Sequence, residues 1–375
     1  MQHVTKSSRT GPLTALAGVG RAVWTPKNHA ALAREGFAGN AIGYRCLRML
    51  AEAAASVPLV LYDGARELTE HPLLTLLARP NPAESGRGLM ERFHGQLLIA
   101  GNGYLEAVKL GDEVRELHAL RPDRMRLIAG RSGWPEAYDY VVNGQAIRFR
   151  QEGVVPPILH MKLLNPADDH YGLSPIEAAA RAIDIHNAAG AWSKALFDNA
   201  ARPSGALVYK AGDGNLTDDQ FERLRQELEL SHQGSANAGR PLILEGGLEW
   251  TQISHSPRDM DHLEARHAAA REIALAFGVP PMLLGIPGDN TFANYAEANR
   301  SFWRQSVLPL ASRTAEALSH WLAPAFGAPA RLRLGLDLDA VEALSPEREA
   351  LWARLANASF LSDEEKREAV GYGRQ

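Results

Sequence analysis

Residues 259–322 read DMDHLEARHAAAREIALAFG, then VPPMLLGIPGDNTF, then ANYAEANRSFWRQSVLPLASRTAEALSHWL, and the fold turns on this stretch. It predicts a helix, a Pro/Gly-rich loop and a second helix. On the first helix Met260, Leu263, His267, Ala270, Ala274 and Phe277 recur at alternating steps of three and four, which sets them on one face. That face is narrow and rich in alanine. Small side chains let helix axes approach closely, so the segment suits a packed helical assembly. Gly278 is a natural stop, and Pro280-Pro281 forbid continuation. The loop GIPGDN can expose backbone and bend sharply, and Pro309 predicts a kink in the second helix.

Upstream, residues 171–200 (YGLSPIEAAARAIDIHNAAGAWSKALFDNA) hold a second long helix, for which Ser174, Pro175 and Glu177 supply an N-cap, a preorganised first position and a capping-box acid. Its body carries two apolar lines. Ala178, Ala182, Ile185, Ala189, Trp192 and Leu196 form one, and Ile176, Ala179, Ile183 and Phe197 the other. A helix apolar on two sides is buried between neighbours, which belong to this chain or to copies of it. Between Arg202 and Ser254 lies a small α/β insert: strand SGALVYK, a helix opened by a Thr217–Gln220 capping box, the exposed loop QGSANAGR, and strands PLILEGG and LEWTQIS. The helices 174–200 and 259–278 can run antiparallel and carry this insert at their far end. That geometry is a stalk with a head.

The first part, to about Lys162, reads as an α+β unit with a mainly antiparallel sheet. A helix covers about Gly39 to Ala55; PLVLY with the turn DGAR gives a hairpin; Ser85 caps a helix that ends at Gly101-Asn102-Gly103. The strands YLEAVKL, VRELHAL, MRLIA, AYDYVV and AIRFR follow, the last two joined by the tight Asn143-Gly144 turn. Beyond the opening stretch come the strand RLRLGLDL, a helix begun by Ser345, and a last helix capped by Ser362 to Glu365.

Composition narrows the function. With 375 residues, 45% hydrophobic and 22% charged, the chain is long enough for more than one domain with a sizeable core. A net charge of −4, with no clustered Lys/Arg block, argues against tight duplex binding by this chain alone. The single cysteine, Cys46, excludes an internal disulfide and a cysteine-built zinc site, and its helical neighbours predict a buried thiol. No apolar run approaches the roughly 20 residues that cross a bilayer. Residues 1–25 read as a flexible arm, and cytosolic residence is expected.

The chemistry is sparse. No lysine follows a glycine, so the phosphate-cradling loop is absent, as are GxSxG and HExxH. In HMKLLNPADDH the residues His160, Asp168, Asp169 and His170 lie close together, and an α+β hydrolase using His160, Asp168 and His170 is the alternative reading. A metal site there needs a third ligand that nothing marks. The competing reading is a strand end and a polar loop capped by its own Asn and Asp side chains. The glycines of AGNGY follow a helix, which favours a turn with positive φ over a nucleotide loop. No metal or cofactor is expected.

Taken together, HPLLTLLARPNP, LLIAGNGYLEAV, ILHMK, YGLSPIEAA, LFDNAARPSGAL, IALAFGVPPMLLG and NYAEANRSFW resemble, in order and spacing, portal proteins of long-tailed double-stranded DNA phages. The similarity covers about residues 38–370. The compact, Ala/Gly/Arg-rich style is similar to that of a prophage or a gene transfer agent of a GC-rich bacterium. The resemblance implies a non-enzymatic portal-type α+β subunit, assembled as a ring of twelve at one capsid vertex of a virion or phage-like particle after synthesis in the bacterial cytoplasm. It divides the chain into an arm (1–25), a wing (26–173), stem helices (174–200 and 256–278) around a clip (201–255), a tunnel loop (279–293), a kinked helix and strand returning to the wing (294–339) and a crown (340–375). Implied partners are the large terminase subunit, a head–tail adaptor, the major capsid protein and double-stranded DNA held weakly and without sequence specificity; no membrane is involved.

Residues follow from that division. Pro287, Gly288, Asp289, Asn290, Thr291 and Phe292 would line the narrowest part of the channel. Ala178, Ala182, Ile185, Ala189, Trp192, Leu263, His267, Ala270 and Ala274 would meet neighbouring subunits along the stem. Asp218, Glu222, Arg225 and Glu229 would face terminase and adaptor from the clip.

Overall fold

A computed structural model describes Thr25 and residues 28–131, 133–198, 205–209, 217, 219–220, 222–223, 226, 248–252, 261–287, 292–327 and 331–370. The expected arm except Thr25, most of the clip and the centre of the tunnel loop therefore lie outside the described residues. The chain opens with α1 (His29–Leu32), a wide turn over residues 33–38, and α2 (Ala41–Ser56). Asn40 caps α2 by accepting the Gly43 N–H at 2.9 Å, and its own amide reaches His186 Nδ1 at 3.2 Å and Asn187 Oδ1 at 2.8 Å. A cap residue thus also pins two distant parts of the chain together.

β1 (Leu59–Asp63) and β2 (Arg66–Leu68) form the hairpin that DGAR predicts, with Gly64 at φ +65 in its turn. After α3 (Pro72–Ala78), α4 (Gly86–Ala100) starts on Ser85, whose hydroxyl accepts from Gly88 N at 3.2 Å, and ends on Gly101 at φ +71. Then come β3 (Asn102–Leu110), β4 (Glu113–Leu120), β5 (Met125–Ala129), β6 (Pro135–Val142), β7 (Gln145–Arg150) and β8 (Ile158–Lys162). Asn143 at φ +49 and Gly144 at φ +80 make the β6–β7 turn, whose two left-handed residues match strand twist.

The strands are antiparallel as expected, but they divide into separate three-stranded sheets, β4-β3-β8 and β5-β6-β7, instead of one. A third sheet is completed from far along the chain. β11 (Leu332–Leu336) pairs with β1, Leu59 opposite Leu336 and Asp63 opposite Leu332, giving the order β11-β1-β2.

The long upstream helix is interrupted. Ser174 caps α5 (Pro175–Ala178) through Ile176 N at 3.0 Å, Ala179 leaves helical geometry at ψ 3, and α6 runs Ala180–Asp198. β9 (Gly205–Tyr209) pairs antiparallel with β10 (Leu248–Gln252). Between them, Thr217 N donates to Gln220 Oε1 at 3.0 Å and Gln220 N to Thr217 Oγ1 at 3.3 Å, the reciprocal bonds of a capping box. α7 (His262–Ala276) returns along α6 and stops at Gly278, φ +66.

α8 (Phe292–Phe302) leads through a π-helical stretch, residues 303–307, into α9 (Leu308–Leu322). Pro309 has no N–H to donate and its ring crowds the preceding turn, so the widened turn ahead of it absorbs the mismatch. Two helices close the chain, α10 (Ser345–Ala356) and α11 (Asp363–Ala369), the latter opened by the Ser362–Glu365 capping box. One cluster of buried apolar side chains runs from Leu32 through Cys46, Phe93, Ile176, Ile273 and Leu318 to Val341, so the N-terminal unit, the helix pair and the last long helix share a core.

Candidate functional site

The candidate surface is the α6–α7 pair with the described part of the loop after it. The rings of Trp192 on α6 and His262 on α7 pack against each other at a tilt of 32°, centroids 4.0 Å apart. Lower down, Ala269, Ala270, Ile273 and Ala274 of α7 meet a floor that includes Ala182, Ile183 and Ala189 of α6 and residues of α2. Ala270 is 3% exposed and Ala274 0%. The expected assignment of the alanine face to contacts between subunits is therefore corrected at Ala182, Ala189, Ala270 and Ala274. Their small size closes helix–helix packing inside one chain. Trp192, packed on His262, also serves this internal seam, and His267 is half-buried.

What stays uncovered is Ala178 at the end of α5, Ile185 at 39%, Leu263 at 63% and Leu275 at 79%, the first three among the residues expected to face neighbouring subunits. A cavity of about 590 Å³ opens beside Leu275, lined also by Arg181, Asp184 and Glu272. At its rim Thr25 N donates to Asp184 Oδ2 at 3.0 Å, which fixes the start of the described chain on α6. Leu275 escaped the sequence reading because the alanines around it blur the phase of the apolar face.

Among the loop residues, Pro287 is exposed and its carbonyl accepts from the Arg271 guanidinium, a bond that ties the loop's entrance to α7. Gly288, Asp289, Asn290 and Thr291 lie outside the described residues, and Phe292 is the first residue of α8. Of the clip residues, Glu222 is helical and accepts from Gln226 Nε2 at 3.4 Å; Asp218, Arg225 and Glu229 lie outside the described residues.

The hydrolase trio is drawn into structural bonds. His160 stacks on Tyr104 at 4.3 Å, with Nδ1 3.2 Å from the Tyr138 hydroxyl and Nε2 2.9 Å from Asn102 Oδ1. Burial, then Lys162 and His170, push its pKa down to about 4. Asp168 accepts the N–H groups of His170 at 2.7 Å and Tyr171 at 3.0 Å through one oxygen, and those bonds hold its carboxyl below the usual range. His160 and His170 line a common cleft of about 730 Å³ with Trp134 and Asp169, but Asp168 is not in that lining. Among the described residues no group of three His, Cys, Asp or Glu side chains could hold a metal ion, and no helix is long and apolar enough to cross a membrane.

One buried histidine has a measurable consequence. His94 on α4 is 2% exposed, with Nε2 3.0 Å from Thr314 Oγ1 on α9, and burial pushes its pKa down to about 4. An unfolded histidine takes up a proton near pH 6.5, where the folded one stays neutral. Stability is therefore full above that pH and declines as pH falls from about 6.5 towards 4, by on the order of 2 kcal/mol at pH 4.5. Thermal unfolding followed across this range should show the decline; His160, also held near 4, adds a share of its own, so His94→Gln should reduce the decline without abolishing it.

Large apolar side chains stand exposed on the helix pair (Leu263, Leu275) and also elsewhere (Leu110, Trp134, Leu164, Phe360), a surface that suits a subunit of an assembly. The family model for phage portal proteins matches residues 41–371, and the chain belongs to that family. It is 29% identical over 340 residues to the probable portal protein of Streptomyces phage phiC31, covering 86% of this chain and 72% of that one. In a structure of the neck of an empty gene transfer agent particle, computed with C6 symmetry, one chain is 54% identical, with coverage of 96% and 97% and a TM-score of 0.75. A chain of the native particle's neck, computed with C12 symmetry, is 53% identical over the same shares, with a TM-score of 0.73.

Proposed function

We propose that twelve copies of this chain form a ring at one vertex of the capsid of a phage-like particle, and that double-stranded DNA is driven in and later leaves through it. The observation that carries this reading is the 53% identity, across 96% of the chain, to a component of a particle neck of C12 symmetry. In this reading residues 26–173 are the wing, the α6–α7 pair the stem, 201–255 the clip that meets the large terminase subunit and then the head–tail adaptor, and 340–375 the crown. The wing abuts the major capsid protein. Residues 287–292 form the loop nearest the DNA.

Electrostatics supports a conduit. Each copy carries a net charge of −4, and a channel of that sign does not trap a sliding polyanion. Terminase supplies the work, and this chain's part is structural. The neighbour-facing stem surface is the exposed set Ala178, Ile185, Leu263 and Leu275. Electron microscopy and native mass spectrometry of the purified chain test the reading. Closed rings are expected, in solution not always of twelve; a strict monomer at high concentration, with no ring in particles, would end it.

A further inference from the structure

Residues 345–370 form two helices in which no side chain is buried. Leu351, Leu355, Ala358 and Leu361 are half-covered. The tie to the rest of the chain is largely ionic: Glu347 pairs with Arg304 at 2.9 Å and Arg300 at 3.8 Å, and Arg348 reaches the Asp339 carbonyl at 2.6 Å. Exposed pairs of this kind hold a segment weakly. An ordered segment without a core of its own is completed by something else.

Two uncovered patches on it are complementary. On α10 and its C-cap, Ala350, Ala353, Arg354 and Asn357 are all exposed and fall on one side of the helix, a surface of two alanines flanked by a cation. At the start of α11, Phe360 is 85% exposed and stands beside the exposed acids Asp363 and Glu364. Arg354, Asp363 and Glu364 make no ion pair among the described residues. One patch is an aromatic knob with two acids, which share their face with Arg367; the other is an alanine face with a cation, bordered by Glu349. They use different residues, as a head-to-tail contact requires. The segment carries six acidic and four basic side chains, which disfavours DNA as its cover.

We infer that the cover is the next copy of this chain: Phe360 of one subunit seats on Ala350 and Ala353 of its neighbour, and Asp363 and Glu364 face the neighbour's Arg354. The contact rests on the ring reading and locates a second ring of contacts apart from the stem.

The test uses the full chain. Arg354→Cys and Glu364→Cys are made separately, co-assembled, and treated with a short bismaleimide; Cys46, 0% exposed, does not compete. Covalent dimers are expected in the mixture at more than tenfold their level in either variant alone, and Phe360→Ala in both chains should remove most of them. Rings seen by microscopy in a mixture that gives no excess of dimers would overturn this contact and leave the ring reading standing. Dimers of a single variant would overturn it in favour of a two-fold contact. Monomers alone would overturn both.

Discussion

Ala274→Trp is expected to destabilise the isolated chain strongly, not merely to prevent ring formation. Ala274 is wholly buried, and Ala269, Ala270 and Ile273 fill the same seam between α7, α6 and α2. An indole has nowhere to go without separating helices, and overpacking of a tight core costs about 3 kcal/mol or more at that scale. Ala270→Trp should behave alike. Leu275→Ala is the internal control: next in sequence but 79% exposed, it should change monomer stability by less than about 0.5 kcal/mol while weakening assembly. Thermal unfolding of the unassembled chain separates the two. An Ala274→Trp chain that melts like the parent and fails only at assembly would restore the alanine face to the ring interface.

A comparably large loss is expected where two glycines cross. A Cβ at Gly101 would lie 2.3 Å from the Gly172 carbonyl oxygen, and one at Gly172 would lie 2.1 Å from the Gly101 oxygen and 2.6 Å from Leu163 N. All of these are backbone atoms, so no side-chain rotation relieves them. Gly101 also sits at φ +71, which costs an alanine about 1–2 kcal/mol by itself. Gly101→Ala and Gly172→Ala should each cost about 3–5 kcal/mol. Gly64→Ala, at φ +65 but with nothing within 4 Å of its would-be Cβ, should cost only the conformational part, about 1–2 kcal/mol. Urea unfolding midpoints would rank the three. Equal midpoints would mean that the crossing is looser than it stands here.

These two sites also mark where sequence reading succeeds and where it stops. Local chemistry was legible. Asn143-Gly144 forced its turn, Thr217 with Gln220 and Ser362 with Glu365 announced their capping boxes, and Gly101 and Gly278 ended their helices. Each is decided within four residues of chain. The resemblance extended this to the family, because short strings kept their order across the whole length.

Partners across distance were not legible. Periodicity fixes the phase of an apolar stripe but not what covers it, and alanine suits an internal seam and an external one equally. Leu263 shares its predicted face with Ala270 and Ala274 and is 63% exposed where they are buried, while Ile273, the fully buried centre of the seam, went unmarked. The break at Ala179 is equally silent, since nothing in EAAARA forbids a helix. His160 shows the same limit from the other side. A histidine near two aspartates invites a catalytic reading, and only the positions of Asn102, Tyr104 and Tyr138 reveal a ring locked between strands.

The pairing of β1 with β11 sets a schedule for synthesis. The free edge of β1 has no partner until Leu336 has left the ribosome, tens of seconds after Leu59 at ordinary translation rates. An unpaired edge is sticky towards other strands, so unfinished chains are the aggregation-prone species. A chain cut short before residue 332 cannot complete this sheet, so the first hairpin stays open-edged in any product that lacks β11.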